Sequence, residues 1–120
     1  MVLDKRAAGE FVDELDLELL PACPMCLFDV ACALAEGRRV WPATVTRTVS
    51  WVWPEIADAV RAQVVNARMY EAPGAEDALR DLDENGARSK LARAIVEQLA
   101  ERMAGEIRER RAAVRRIASG

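Results

Sequence analysis

Residues 42–53, PATVTRTVSWVW, decide whether the chain is all-α or contains a sheet. Valine, arginine and tryptophan alternate here with threonine and serine, a pattern typical of a β-strand. The same stretch places Val45, Val49 and Val52 at helical spacing, and it begins with a proline, which suits the first position of a helix. No second strand-like segment lies nearby to pair with it. We therefore predict a helix, and the strand stays open as the alternative.

Prolines and glycines divide the sequence on either side of this stretch into segments of helical length. The patterns predict helices over residues 4–20, 24–36, 54–71, 76–82 and 87–118. Gly37 is expected to supply the left-handed residue that ends the second of them. The predicted fold is all-α: one compact domain, residues 1–120, of five to six helices with a long C-terminal helix.

The composition bounds the class of protein. With 52% hydrophobic and 31% charged residues, the chain has enough apolar surface for a core and does not resemble a disordered segment. No apolar run approaches the roughly 18 residues of a membrane span, and the first residues lack the pattern of a secretory signal. Three cysteines do not suit a disulfide framework. A cytoplasmic protein without a membrane partner is expected.

The net charge of −3 is distributed unevenly along the chain. Residues 1–36 contain eight acidic and two basic side chains, which gives them a charge of −6, whereas residues 102–120 contain two acidic and six basic ones, which gives +4. An acidic beginning and a basic end favour either self-association or a polyanionic partner. Ordinary solvated helix faces are the alternative interpretation.

Two short segments carry a resemblance to a known DNA-binding unit. Residues 27–31 read LFDVA and residues 40–47 read VWPATVTR. They resemble the helix-turn-helix of the lactose-repressor family, which typically reads LxDVA and then, after a glycine turn, VSxxTVSR. Residues 60–74 are similar to the third helix of that family and the segment that follows it. The resemblance covers residues 27–74.

The resemblance implies a function and a set of residues for it. It implies that residues 40–47 begin a helix presented to the major groove of double-stranded DNA, where arginine can bind guanine and other side chains can bind phosphate. The implied DNA-binding residues are Arg38, Arg39, Thr44, Thr46 and Arg47. The turn is longer here than in that family, and Pro42 and Ala43 replace side chains that usually donate hydrogen bonds to bases.

The cysteines form a second candidate site. Cys23 and Cys26 make a CxxC motif, and Cys32 follows on the same predicted helix. A thiol at a helix start can be reactive, and cysteines can hold a metal. A zinc site needs four ligands, however, and this chain has three cysteines and no histidine. Small core residues are the alternative interpretation, and neither a resident metal nor a cofactor is expected.

The same absence of histidine removes the commonest general base, and no phosphate-binding loop or nucleophile motif is present. We therefore expect a protein that binds rather than catalyses. The long predicted helix over 87–118 is the expected dimer interface, through a stripe formed by Leu91, Ile95, Leu99, Met103 and Ile107.

Three hypotheses follow from the sequence. The first is a small DNA-binding transcriptional regulator that acts as a homodimer. The second is a helical assembly or adaptor protein that binds other proteins without nucleic acid. The third is a thiol redox or metal site at the CxxC.

Overall fold

The computed structural model describes residues 5–13, 15–21, 24–66 and 75–119, and these ranges contain five α-helices and no strand. The helices are α1 (Lys5–Val12), α2 (Pro24–Ala35), α3 (Pro42–Asn66), α4 (Ala75–Asn85) and α5 (Lys90–Ser119), and short 3-10 turns lie at Leu17–Leu19 and Gly86–Arg88. The all-α fold with a long C-terminal helix is therefore confirmed. The end of the helix predicted over residues 54–71, which includes Tyr70, lies outside the described residues. Cys23 lies outside them as well.

Residues 42–53 are helical, and three of their hydroxyl groups are satisfied within α3. The hydroxyls of Thr46, Thr48 and Ser50 donate to the carbonyls of Pro42, Thr44 and Thr46, at distances of 3.0, 2.9 and 3.1 Å. Each bond joins a residue to the one four positions earlier, which a helix allows and a strand does not. The apolar side chains at helical spacing point inward, among them Val45, Val49, Val52, Ile56 and Val60.

Pro54 does not begin a new helix, as the sequence suggested, but lies inside α3. A proline in a helix interior leaves the carbonyl four residues earlier without its N–H donor, here that of Ser50. Both Pro54 and Ser50 are on the exposed side of α3, where water can take the place of the missing donor. The helix therefore continues through the proline, and its 25 residues form one element.

The predicted helix over residues 4–20 is shorter in the structure. The helix α1 ends at Val12, and the chain then turns so that Asp16 begins the 3-10 turn, with its carboxylate accepting from the Glu18 N–H at 3.1 Å. The side-chain amide of Gln63, on α3, bonds both backbone groups of Asp16 at 2.9 Å. This tertiary contact satisfies the backbone where the helix is interrupted.

The start of α5 is capped from two directions. The Ser89 hydroxyl accepts from the Ala92 N–H at 2.9 Å, as an N-cap serine does. The carboxylate of Asp81, on α4, accepts from the N–H groups of Lys90 and Leu91 at 2.9 and 3.3 Å. A negative carboxylate at the positive end of the helix dipole adds to this stabilisation.

The core is built around α5, which contacts each of the other four helices. Its 30 residues extend about 45 Å, along the 53 Å long axis of the molecule. Buried α5 side chains occur as far as Ala104, and they meet apolar side chains of the other helices, among them Phe11, Val12, Leu27, Val52, Ile56 and Leu82. None of the helices in the described ranges combines the length and the hydropathy needed to cross a membrane.

Two isoleucines on α5 test this arrangement. Ile95 is fully buried, whereas Ile117 is 81% exposed. We expect Ile95→Ala to lower the free energy of unfolding by about 2–5 kcal/mol, because it leaves a cavity in the core. In the monomeric chain, Ile117→Ala should change it by less than about 0.5 kcal/mol, because this side chain is exposed there. Urea denaturation followed by circular dichroism measures both, and equal effects of the two variants would contradict the described core.

Candidate nucleic-acid interface

The turn between α2 and α3 is closed by Gly37. Its φ of +71° is left-handed, as the sequence predicted. The Gly37 N–H donates to the Leu34 carbonyl at 3.1 Å, and the Arg38 N–H donates to the Ala33 carbonyl at 2.8 Å. This pair of bonds is a Schellman motif, which ends a helix and redirects the chain. It fixes the positions from which Glu36, Arg38 and Arg39 extend.

The exposed face of α3 carries the most specific of the predicted residues. Arg47 lies at the centre of this face, with Ala43 and Ser50 one helical turn before and after it. Thr46 is exposed as well, but its hydroxyl hydrogen is donated to the Pro42 carbonyl, so that only its acceptor lone pairs remain for a ligand. Thr44 is half-buried. Arg47 is therefore the donor that α3 offers to solvent at this position.

Two arginines stack on exposed tryptophans. The Arg39 guanidinium carbon lies 5.0 Å from the centre of the Trp41 ring, and that of Arg47 lies 5.8 Å from the Trp51 ring. The rings are 64% and 57% exposed. Such a contact attracts the guanidinium group to the face of the ring, and the N–H groups that point away from the ring can still bind a phosphate or a base. The tryptophans thus reduce the freedom that each arginine loses when it binds.

The basic end of α5 is joined to this turn by two of its arginines. Arg108 donates to the carbonyls of Leu34 and Ala35, which are among the last of α2. One turn further along α5, Arg111 forms an ion pair with Glu36 at 3.3 Å. We call Arg38, Arg39, Arg47 and Arg111 the arginine surface. Residues 37–54 add no acidic side chain to it.

Glu36 is the acidic residue within the arginine surface. Its two carboxylate oxygens accept from different arginines, one from Arg38 and the other from Arg111. The hydrogen bond and the charge of Arg38, and then the charge of Arg111, hold the pKa of Glu36 below its ordinary value. The carboxylate is therefore charged at neutral pH, and it partly neutralises the surface in which it lies.

An open groove of about 620 Å³ adjoins the same contacts, between the end of α2 and the outward side of α5. Four arginines and two small apolar side chains line it: Arg108, Arg110, Arg111, Arg115, Ala35 and Val114. Beyond Arg111, none of the described side chains of α5 is fully buried, and Val114 and Ile117 are 64% and 81% exposed. The groove extends the positive region past the end of the bundle.

The predicted interface residues of α5 divide into two groups. Leu91 and Ile95 are fully buried in the core of the chain, so their side chains cannot contact a second copy. Leu99, Met103 and Ile107 are half-buried. The first two of these also line a groove beside the 3-10 turn at Leu17–Leu19. The expectation for Leu91 and Ile95 is corrected because α5 is covered on several sides along its first half.

The structure separates two of the three cysteines. Cys26 and Cys32 are half-buried on α2, and six residues of helix place them about 120° apart around its axis. They therefore do not converge on one ion. The described part of the chain contains no cluster of three cysteine and acidic side chains able to hold a metal.

Comparisons of the chain with protein-family models, with curated protein sequences and with solved structures found no match.

The ion pairs of Glu36 predict how its carboxyl group titrates. A lowered pKa means that the folded state gains stability from Glu36 above the ordinary value of 4.5, and loses it as the pH falls through the lowered value. We expect Arg38→Ala to move the titration midpoint of Glu36 upward, towards 4.5. NMR titration of its side-chain carboxyl carbon measures this shift. The control Arg80→Ala, on α4, should leave the midpoint in place, and a midpoint unaffected by Arg38→Ala would refute the contact.

Proposed function

We propose that this protein binds double-stranded DNA through the arginine surface, with the exposed face of α3 in the major groove. The observation that carries the proposal is the contact of Arg108 and Arg111 with the end of α2, which joins two basic segments, about 70 residues apart in sequence, into one surface. DNA presents phosphates on both sides of its groove. A surface with arginines on a helix and beside it matches that arrangement.

The exposed face of α3 supports insertion of the helix. The major groove is about 12 Å wide and admits one α-helix. Ala43 and Ser50 flank Arg47 with small side chains, and the larger exposed Trp51 on the same face lies against the Arg47 guanidinium. Arg47, held over Trp51, then has the N–H geometry for the O6 and N7 atoms of guanine. Arg38, Arg39 and Arg111 are assigned to phosphates.

The distribution of charge explains how a chain with a net charge of −3 binds a polyanion. Among the acidic residues of the first part of the chain, Asp16 and Glu18 lie at the 3-10 turn, where they contact Gln63 of α3 and Arg102 of α5 rather than the arginine surface. A binding role is also supported by the absence of histidine and by Glu36, whose lowered pKa does not suit a general acid. A DNA ligand fits the cytoplasmic location expected from the sequence.

Fluorescence anisotropy with a labelled duplex of mixed sequence tests the proposal. With four arginine–phosphate or arginine–base contacts, raising the salt from about 50 to 200 mM should weaken binding by roughly 100-fold. Arg47→Ala should weaken binding by about 5- to 100-fold and relax any preference for guanine. The matched control is Arg80→Ala, which removes the same charge from an exposed position on α4. The absence of binding at low salt, or equal effects of Arg47→Ala and Arg80→Ala, contradicts the proposal.

A second candidate function is assembly with a second copy of the chain, and the exposed tip of α5 favours it. Ile107, Val114 and Ile117 continue one stripe along α5 past the end of the bundle. Glu106 and Glu109 lie in the first part of this segment, and its last turns contain only basic charges. An antiparallel pairing of two tips therefore brings acidic side chains of one copy beside basic ones of the other.

The oligomeric state tests this assembly. We expect the wild-type chain to have the mass of a dimer in light scattering, and Ile117→Asp to shift it towards the monomer, because a carboxylate cannot be buried in the apolar stripe without a partner. Leu19→Asp is the matched control, since Leu19 is also exposed and lies on the 3-10 turn, whose Glu18 pairs with Arg102, 15 residues before Ile117 on α5. A monomeric wild type, or a dimer unaffected by Ile117→Asp, excludes an interface at the tip.

A further inference from the structure

The position of Glu36, between two arginines of the arginine surface, bears on how the proposed DNA-binding site works. Its carboxylate lies between Arg38, which follows the cap of α2, and Arg111 on α5. These two arginines come from segments 73 residues apart, and each bonds a different oxygen of the same anion. Two guanidinium groups that converge on one oxygen-bearing anion are the arrangement with which proteins bind phosphate.

The backbone around this position is fixed on both sides. The Glu36 N–H donates to the Cys32 carbonyl at 3.0 Å, and the Schellman motif at Gly37 holds the residues that follow. On α5, the bonds of Arg108 to the last carbonyls of α2 place Arg111 one turn further on, opposite Glu36. The backbone positions from which the two arginines extend are therefore set by the fold.

The ion pairs themselves are accessible and weak. The side chains of Glu36, Arg38 and Arg111 are 37%, 62% and 47% exposed. Ion pairs at such positions are screened by water and salt, so each contributes little. A phosphate that carries the same charge, and that is held in place by its neighbours along a DNA strand, can replace the carboxylate at small cost.

We infer that the Glu36 carboxylate stands where a backbone phosphate of the DNA binds, and that this phosphate displaces it from Arg38 and Arg111. The inference rests on the proposed function. Glu36 then competes with the ligand: it lowers the affinity for DNA, and it keeps the two arginines paired when DNA is absent. The lowered pKa of Glu36 agrees with this role, since the carboxylate is charged at neutral pH.

The test compares Glu36→Gln with Glu109→Gln in the same anisotropy assay. Both variants remove one negative charge, and Glu109 lies on the same basic part of α5 without forming either of the bonds that Glu36 makes. A general effect of charge raises the affinity equally in both. Release of the two arginines raises the affinity of Glu36→Gln alone, by about threefold to tenfold beyond that of Glu109→Gln.

A second comparison uses a variant that lacks the two arginines proposed to bind the phosphate. In a chain that carries Arg38→Ala and Arg111→Ala, the further change Glu36→Gln should raise the affinity no more than Glu109→Gln does, because no arginine remains to be released. Thermal denaturation of each variant shows whether it is folded.

The outcomes separate the inference from the proposed function. If neither the wild type nor Glu36→Gln binds DNA, both are overturned. If the wild type binds and the two glutamine variants gain equally, DNA binding stands and the role of Glu36 is overturned. If Glu36→Gln binds more tightly than Glu109→Gln, or binds where the wild type does not, and the excess disappears without Arg38 and Arg111, the inference is supported.

Discussion

The packing of the other helices against α5 is the constraint on which the structure depends. Four helices of 8 to 25 residues each bury an apolar face on this one helix of 30 residues. Short helices are marginal in water by themselves, so their stability comes from this shared surface. The side chains of Leu91, Ile95 and Val96 are consequently enclosed from several sides. The same helix leaves the bundle at its far end, where arginines lie beside the exposed Val114 and Ile117.

This exit of α5 from the bundle also creates the arginine surface. Arg108 satisfies carbonyls at the end of α2, a structural task, and Arg111 thereby reaches the turn that carries Arg38. Carbonyls at the negative end of a helix dipole attract a cation, which accounts for an arginine at that place without any ligand. The contact that assembles the proposed binding surface thus also caps the end of α2.

Local patterns in the sequence predicted most of the helices. The predictions were wrong where contacts between residues far apart in sequence determine the structure. The helix over 42–53 followed from Pro42 and the spacing of the valines, and Gly37 was placed in its left-handed cap from the sequence alone. The break after Val12 could not be predicted, because Gln63 from another helix bonds the backbone of Asp16. Similarly, no local signal joins Arg111 to Glu36, since that contact exists only after α5 has packed on α2.

The double cap at the start of α5 has a consequence for the far end of the molecule. Ser89 and Asp81 fix the first turn of this helix. The position of every later residue on the helix, and the direction of its side chain, therefore depend on how many residues separate it from that turn. The number of residues between the first turn of α5 and its tip accordingly sets the direction in which the side chains of the tip point relative to the turn after α2. Deleting a single residue from the middle of α5 would rotate everything beyond it by about 100° and withdraw it by about 1.5 Å. The alignment of the two basic segments therefore depends on the number of residues in α5 as well as on the contacts of Arg108 with the end of α2.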